Sequence, residues 1–230
     1  IVCAYGQILT KKFLDIPNIG CFNIHFSFLP SLRGASPVQT AIALGMEKTG
    51  VSIQKMVLRL DAGPLAAFSE EVQILQNDTT STLGSRLSEI SGNLISQNLK
   101  DILNRNFDLS EQNESKATYC SIIKKNDGHV NWNEDSALNI ERKLRAYNPW
   151  PGIFSFYKTN SKSKYYHRLQ FTKAEIVKGN FDSGKVYPNM IIGANTNGLR
   201  ILSLKPEGKK EMDSRSFLNG NASILGTVLK

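Results

Sequence analysis

The sequence lacks any uninterrupted apolar run of the roughly eighteen residues that a membrane-spanning helix requires, so no segment of it reads as a transmembrane helix. Cysteine is scarce. Cys3, Cys21 and Cys120 have no metal-ligand spacing, and their odd number speaks against a disulfide framework. Reduced thiols in a cytoplasmic protein, with no bound metal, are the plain expectation. There is no internal repeat, no Gly-rich turn after the first strand, and no basic amphipathic helix that would favour an anionic lipid surface. The chain also lacks an initial Met and a charged leader: it opens Ile1-Val2-Cys3-Ala4-Tyr5, which reads as starting inside a domain whose upstream part is missing.

Positive charge is present but unevenly placed. Residues 1–104 carry 8 Lys and Arg against 8 Asp and Glu, whereas residues 105–230 carry 20 against 12, so the whole net charge of +8 lies in the second half. Such asymmetry points to a polyanionic partner, nucleic acid before lipid.

Residues 1–4 read as a buried strand entering a loop at Tyr5-Gly6, residues 9–14 as a brief helix, and residues 21–26 as a second strand. Ser36-Pro37 should start a helix, with Ser36 as its cap, that stops at Gly45. Residues 51–56 form a strand in which Val51 and Ile53 alternate with Ser52 and Gln54. After a turn at Asp61-Ala62-Gly63-Pro64 and another strand, Leu83, Leu87, Ile90, Leu94, Ile95, Leu99, Ile102 and Leu103 recur at helical spacing from Thr80 onward. Strands alternating with helices predict a doubly wound, Rossmann-like α/β sheet, here incomplete, over residues 1–104. Residues 105–123 are polar and aperiodic, as in a surface linker. Residues 124–230 hold one helix and then short runs broken every ten or so positions, with Asn197-Gly198 as a hairpin turn. They predict a small, basic OB-like β-barrel that binds nucleic acid.

The chemistry-bearing stretch is Asn23-Ile24-His25, followed by Pro30, Gly34 and Pro37. A carboxamide and an imidazole two apart on a strand project on the same side. Asp61, after the next apolar run, is a carboxylate able to orient that imidazole.

Asn23-Ile24-His25 with Ser27-Phe28-Leu29-Pro30, Arg33-Gly34 and Pro37, then Asp61 and Gly63, resembles the formyltransferases that use 10-formyltetrahydrofolate. Asn148-Pro149-Trp150-Pro151-Gly152, Leu204-Lys205-Pro206-Glu207-Gly208 and Phe217-Leu218-Asn219-Gly220 are similar to the carboxyl-terminal domain of the branch of that family that formylates methionyl-tRNA. The resemblance implies a one-carbon formyl transferase acting in translation initiation, with Asn23, His25 and Asp61 as the catalytic set and 10-formyltetrahydrofolate as formyl donor. It implies folate contacts from Gly6, Gln7, Ile8 and Leu9 and from Leu58, Arg59 and Leu60. It further implies initiator methionyl-tRNA as partner; a monomer is favoured for the intact protein, its oligomeric state being left open, and no membrane partner is expected from the absence of a long apolar run. Arg200, Lys205, Lys209 and Lys210, with Lys162, Lys164 and Arg168 nearby, are candidates for tRNA backbone, and Arg33 either meets phosphate or stabilises its own loop. Val57, Arg59 and Ala62 stand where that branch usually has an acidic residue, a glycine and a threonine, so the Asp61 turn should differ in backbone path. Transfer to an amino sugar or to water, and a noncatalytic RNA-binding role, are the alternative readings.

Overall fold

The computed structural model describes residues 1–158 and 164–230. The chain divides into two compact units, Ile1–Ile123 and Lys124–Lys230. The expected linker, residues 105–123, is part of the first unit: it carries a strand and supplies buried hydrogen-bonding groups, which its polar, aperiodic sequence does not announce.

Unit 1 comprises β1 (Val2–Cys3), α1 (Lys11–Leu14), β2 (Phe22–His25), β3 (Arg33–Gly34), α2 (Pro37–Leu44), β4 (Lys48–Thr49), β5 (Ser52–Lys55), β6 (Leu65–Phe68), β7 (Val72–Gln73), α3 (Thr80–Asn104) and β8 (Tyr119–Cys120). Its main sheet has the order β1-β2-β5-β6, with β3-β8 and β4-β7 as separate pairs. Only β1 and β2 run parallel in the main sheet; β5 is antiparallel to both β2 and β6. The sheet is therefore mixed, not all-parallel, because alternation of elements fixes their type but not the end at which a connection re-enters the sheet. β1 is half-buried to exposed, not buried, since it is an edge strand paired on one side alone.

Pro37 opens α2 and Gly45, at φ +68°, ends it in the left-handed conformation that glycine adopts freely. Ser36 does not cap the helix; its hydroxyl donates to the Ser121 carbonyl. α3 starts on a reciprocal cap between Thr79 and Thr82 and buries Leu83, Leu87, Leu94 and Ile102, while Leu99 and Leu103 remain exposed.

Unit 2 contains α4 (Ala137–Ala146), β9 (Ile153–Tyr157), β10 (His167–Val177), β11 (Val186–Tyr187), β12 (Ile191–Gly193), β13 (Gly198–Pro206), β14 (Met212–Asp213) and α5 (Ser214–Gly220). Its strands pair in the order β11-β12-β13-β10-β9, with β14 beside β13. Trp132, Ile140, Leu169, Phe171, Met190, Leu199, Ile201 and Phe217 build its core. The sheet is not a closed barrel: among the described residues no ladder joins β11 to β9. Instead the last residues hydrogen-bond to Val186 on one side and to Phe156 on the other, as irregular backbone. Asn197 has φ +64°, but Gly198 does not share the left-handed conformation. The β12–β13 hairpin consequently closes through Ala194 N–H to the Asn197 carbonyl at 3.1 Å, a longer turn than the two-residue one expected.

Candidate active site

The antiparallel register of β2 and β5 sets Asn23 opposite Gln54, Ile24 opposite Ile53, and His25 opposite Ser52. Because side chains alternate along a strand, Asn23, His25, Gln54 and Ser52 share one face and the two isoleucines share the other. Two strands thus pool four polar side chains on one surface. His25, Ser52 and Gln54 are buried. The alternation expected along β5 does not separate a buried from a solvated face, since Val51, Ser52, Ile53 and Gln54 are all buried in a strand covered on both sides.

Ser52 fixes the loop that follows His25. Its hydroxyl donates to the Ser27 carbonyl at 2.6 Å and accepts from the Leu29 N–H at 3.0 Å. That loop returns the Leu32 carbonyl to His25 Nε2, 2.9 Å away. A carbonyl only accepts, so Nε2 carries the proton and the neutral ring presents the Nδ1 lone pair. Asp61 Oδ2 lies 3.7 Å from Nδ1. Burial pushes the His25 imidazole below its usual 6.5, outweighing the opposing pull of the Asp61 charge and the bond to the Leu32 carbonyl. The ring is accordingly a neutral base at physiological pH.

Asp61 is held on both carboxylate oxygens. Gln54 Nε2 donates to Oδ1 at 2.7 Å, and the Gly34 N–H donates to Oδ2 at 2.8 Å. Asp61 itself sits at φ +47°, a conformation that Asp tolerates better than most residues. Arg59 does not take positive φ; in this turn Asp61 does. Gln112, from the expected linker, pins the turn by donating to the Asp61 carbonyl at 2.9 Å and the Gly63 carbonyl at 2.7 Å. Gly34 is required beside it, because at φ +126° a Cβ would stand 2.0 Å from the Cys120 carbonyl oxygen.

Asn23, His25 and Asp61 are thus brought to one place, and the half-buried Asn23 carboxamide makes no hydrogen bond among the described residues. Of the expected folate residues, Gly6, Gln7 and Ile8 are exposed and Leu9 is half-buried, on the loop leaving the end of β1, which runs parallel to β2. Leu58, Arg59 and Leu60 are exposed on the turn before Asp61. Arg59 is tied to Glu114 at 2.7 Å and to the Tyr119 hydroxyl at 3.3 Å.

Arg33 is not a candidate phosphate contact. It is fully buried and its guanidinium is spent on Gln112 Oε1 at 3.0 and 2.8 Å and on Glu114 at 3.1 and 2.8 Å. The Glu114 bonds raise its pKa further. Arg200 is paired with Glu175 across β10 and β13 at 2.6 Å. Lys205, Lys209 and Lys210 are exposed and make no ion pair among the described residues. Arg168 stacks over the Phe154 ring at 4.0 Å, Lys164 is exposed, and Lys162 lies outside the described residues. Gln54, Ser52, Gln112 and Glu114 are the residues that the motif alone does not reveal. The signal for the first two was their position opposite Asn23 and His25 in an antiparallel pairing; for Gln112 and Glu114 the sequence carries none.

No helix among the described residues is long and apolar enough to cross a membrane, and no cluster of His, Cys, Asp and Glu there could hold a metal ion. Residues 1–99 match the family described as formyl transferase, and residues 122–222 match the formyl transferase C-terminal domain. A methionyl-tRNA formyltransferase from Caldanaerobacter subterraneus subsp. tengcongensis is 34% identical over 235 aligned positions, covering 100% of this chain and 73% of the relative. In fold, the chain is similar to HypX from Aquifex aeolicus in complex with tetrahydrofolic acid, with TM-score 0.64, 16% identity, and coverage of 89% of this chain and 36% of that one. It is also similar to an N-formyltransferase from Helicobacter canadensis in complex with folinic acid and dTDP-3-aminofucose, with TM-score 0.59, 20% identity, and coverage of 83% and 66%.

Proposed function

From the premise that this chain belongs to the formyl transferase family, we propose that it transfers a formyl group from 10-formyltetrahydrofolate to the α-amino group of methionyl initiator tRNA. The observation that carries this reading is the placement of a neutral, buried imidazole 3.7 Å from a carboxylate, on the same strand face as an uncommitted carboxamide. Formyl transfer to an amine needs a base for the ammonium proton and a donor for the oxyanion, and these are the two functions on offer.

The bound folate supplies an activated formyl group. The exposed apolar side chains of Ile8, Leu58 and Leu60 suit a flat, largely apolar ring system. Asn23 donates an N–H to the formyl oxygen as it gains negative charge, a contact worth about 3 kcal/mol in the transition state. The amine nitrogen forms its bond to the formyl carbon, His25 Nδ1 takes the proton from the resulting ammonium, and the carbon–N10 bond breaks. The same proton then serves the departing nitrogen. Asp61 steadies the transient imidazolium, its own oxygens held by Gln54 and Gly34 so that it does not turn away.

The second unit supports tRNA as the acceptor. Residues 124–230 carry 18 Lys and Arg against 9 Asp and Glu, and exposed Lys205, Lys209 and Lys210 suit phosphate contacts that position a nucleic acid without reading its sequence. The second acceptor class to be weighed is a nucleotide-linked amino sugar, since an N-formyltransferase of similar fold has been solved in complex with dTDP-3-aminofucose. Assays of one preparation with methionyl initiator tRNA and with a nucleotide-linked amino sugar separate the two. Preference for the tRNA, declining steeply with salt, supports the proposal; preference for the sugar overturns it.

A further inference from the structure

The buried Gln54 side chain has one committed end and one uncommitted end. Nε2 faces the Asp61 carboxylate at 2.7 Å, and since a carboxylate only accepts, chemistry fixes the amide in this orientation. Oε1 is then buried without a hydrogen-bond partner among the described residues. A buried acceptor left unpaired is unfavourable, and native structures seldom keep one without a purpose. Directly across the strand pair stands Asn23, whose carboxamide makes no hydrogen bond among the described residues. Side chains opposite one another in an antiparallel pair have Cβ atoms about 5 Å apart, within reach of two amides.

We propose that Gln54 is a positioning residue for formyl transfer that joins Asp61 to Asn23 through its single side-chain amide: Nε2 anchors the carboxylate, and Oε1 accepts one Nδ2 proton of Asn23 when substrates are bound. The proposal rests on the formyl-transfer reading above. Asn23 has two Nδ2 protons, and giving one to Gln54 aims the other at the formyl oxygen. Catalytic hydrogen bonds commonly tighten only in the substrate complex, which accounts for a donor and an acceptor that stand as neighbours and are still unpaired here. The oxyanion donor and the carboxylate beside the base thereby become parts of one rigid unit. No bond to substrate is made by Gln54 itself.

Two substitutions test this. Gln54→Leu keeps the bulk and removes both polar ends. Gln54→Glu, when protonated, restores the same pattern, an O–H toward Asp61 and a carbonyl toward Asn23; once ionised it has no donor and faces a second carboxylate. Formyl transfer by full-length wild type, Gln54→Leu, Asn23→Ala and the double variant is measured at saturating folate, with folate affinity and thermal unfolding measured alongside. We expect Gln54→Leu to lower kcat with folate affinity held within about threefold, and to cost roughly tenfold less in the Asn23→Ala background than in wild type, as coupled residues do. We also expect Gln54→Glu to lose activity as pH rises, against the trend of the wild type. Equal costs of Gln54→Leu in both backgrounds, or a Gln54→Glu profile parallel to wild type, would overturn the proposal with formyl transfer intact. A folded wild type that transfers no formyl group would overturn the formyl-transfer reading, and this inference with it.

Discussion

His25 Nδ1 and Asp61 Oδ2 stand 3.7 Å apart, beyond hydrogen-bonding distance, while the opposite nitrogen of the ring is bound to the Leu32 carbonyl at 2.9 Å. Nδ1 is the unprotonated nitrogen, and with no hydrogen bond between it and the carboxylate it is left to accept a proton. A proton arriving at Nδ1 meets a negative charge that is already fixed in place by the Gly34 N–H and Gln54.

This arrangement sets the pH dependence. Burial lowers the His25 pKa below 6.5, so the base stays neutral to lower pH than a free imidazole and activity falls on the acid side below 6.5. Stability follows the same sign: as pH drops under 6.5 the unfolded chain takes up a proton before the folded one does, so stability rises with pH through that window and is lost toward acid. Asp61→Asn removes the charge that opposes the shift and moves the acid limb lower still, with kcat reduced by about 10²-fold or more. A pH–rate profile of the two proteins checks both effects.

Gly34→Ala tests the carboxylate clamp. A Cβ there would meet the Cys120 carbonyl oxygen at 2.0 Å, so β3 must move and the N–H leaves Asp61. Loss of about 2 kcal/mol or more of stability is expected, together with loss of transfer activity, by denaturant unfolding and by assay.

Arg33 has a structural part to play. Arg33→Met leaves the buried Gln112 oxygen without its donor, costing about 1–3 kcal/mol. The salt dependence of tRNA binding should be unchanged, because Arg33 faces no solvent.

The exposed lysines behave in the opposite way. Replacing Lys209 and Lys210 with Gln should weaken tRNA binding and flatten the slope of log affinity against log salt by roughly 0.7 to 0.9 for each phosphate that is no longer neutralised. Arg200→Gln should do less, since Glu175 already compensates that charge. Filter binding across a salt series distinguishes them.

The Asn23–His25 spacing and the later Asp61 were legible because period-two geometry and a turn motif are local properties. So were α2, with Pro37 and Gly45 at its ends, and the start of α3. What stayed hidden depends on pairing. Strand direction made the sheet mixed where alternation alone suggested parallel strands, and antiparallel pairing placed Ser52 and Gln54 beside His25 and Asn23 instead of toward solvent. Gln112 and Glu114 reach the site from a polar stretch whose composition resembles a linker. Arg33 stands next to Gly34 in the motif and looks available to phosphate, yet the carboxamide and carboxylate that enclose it come from some eighty positions further on.

The most direct measurement is single-turnover formyl transfer from 10-formyltetrahydrofolate to methionyl initiator tRNA by full-length wild type and His25→Ala, with folate and tRNA affinities determined for each. The account predicts transfer by the wild type and a loss of about 10²-fold or more in rate for the variant, with both affinities unchanged. A variant that transfers formyl as fast as wild type would contradict it, since the neutral imidazole would then not be the base.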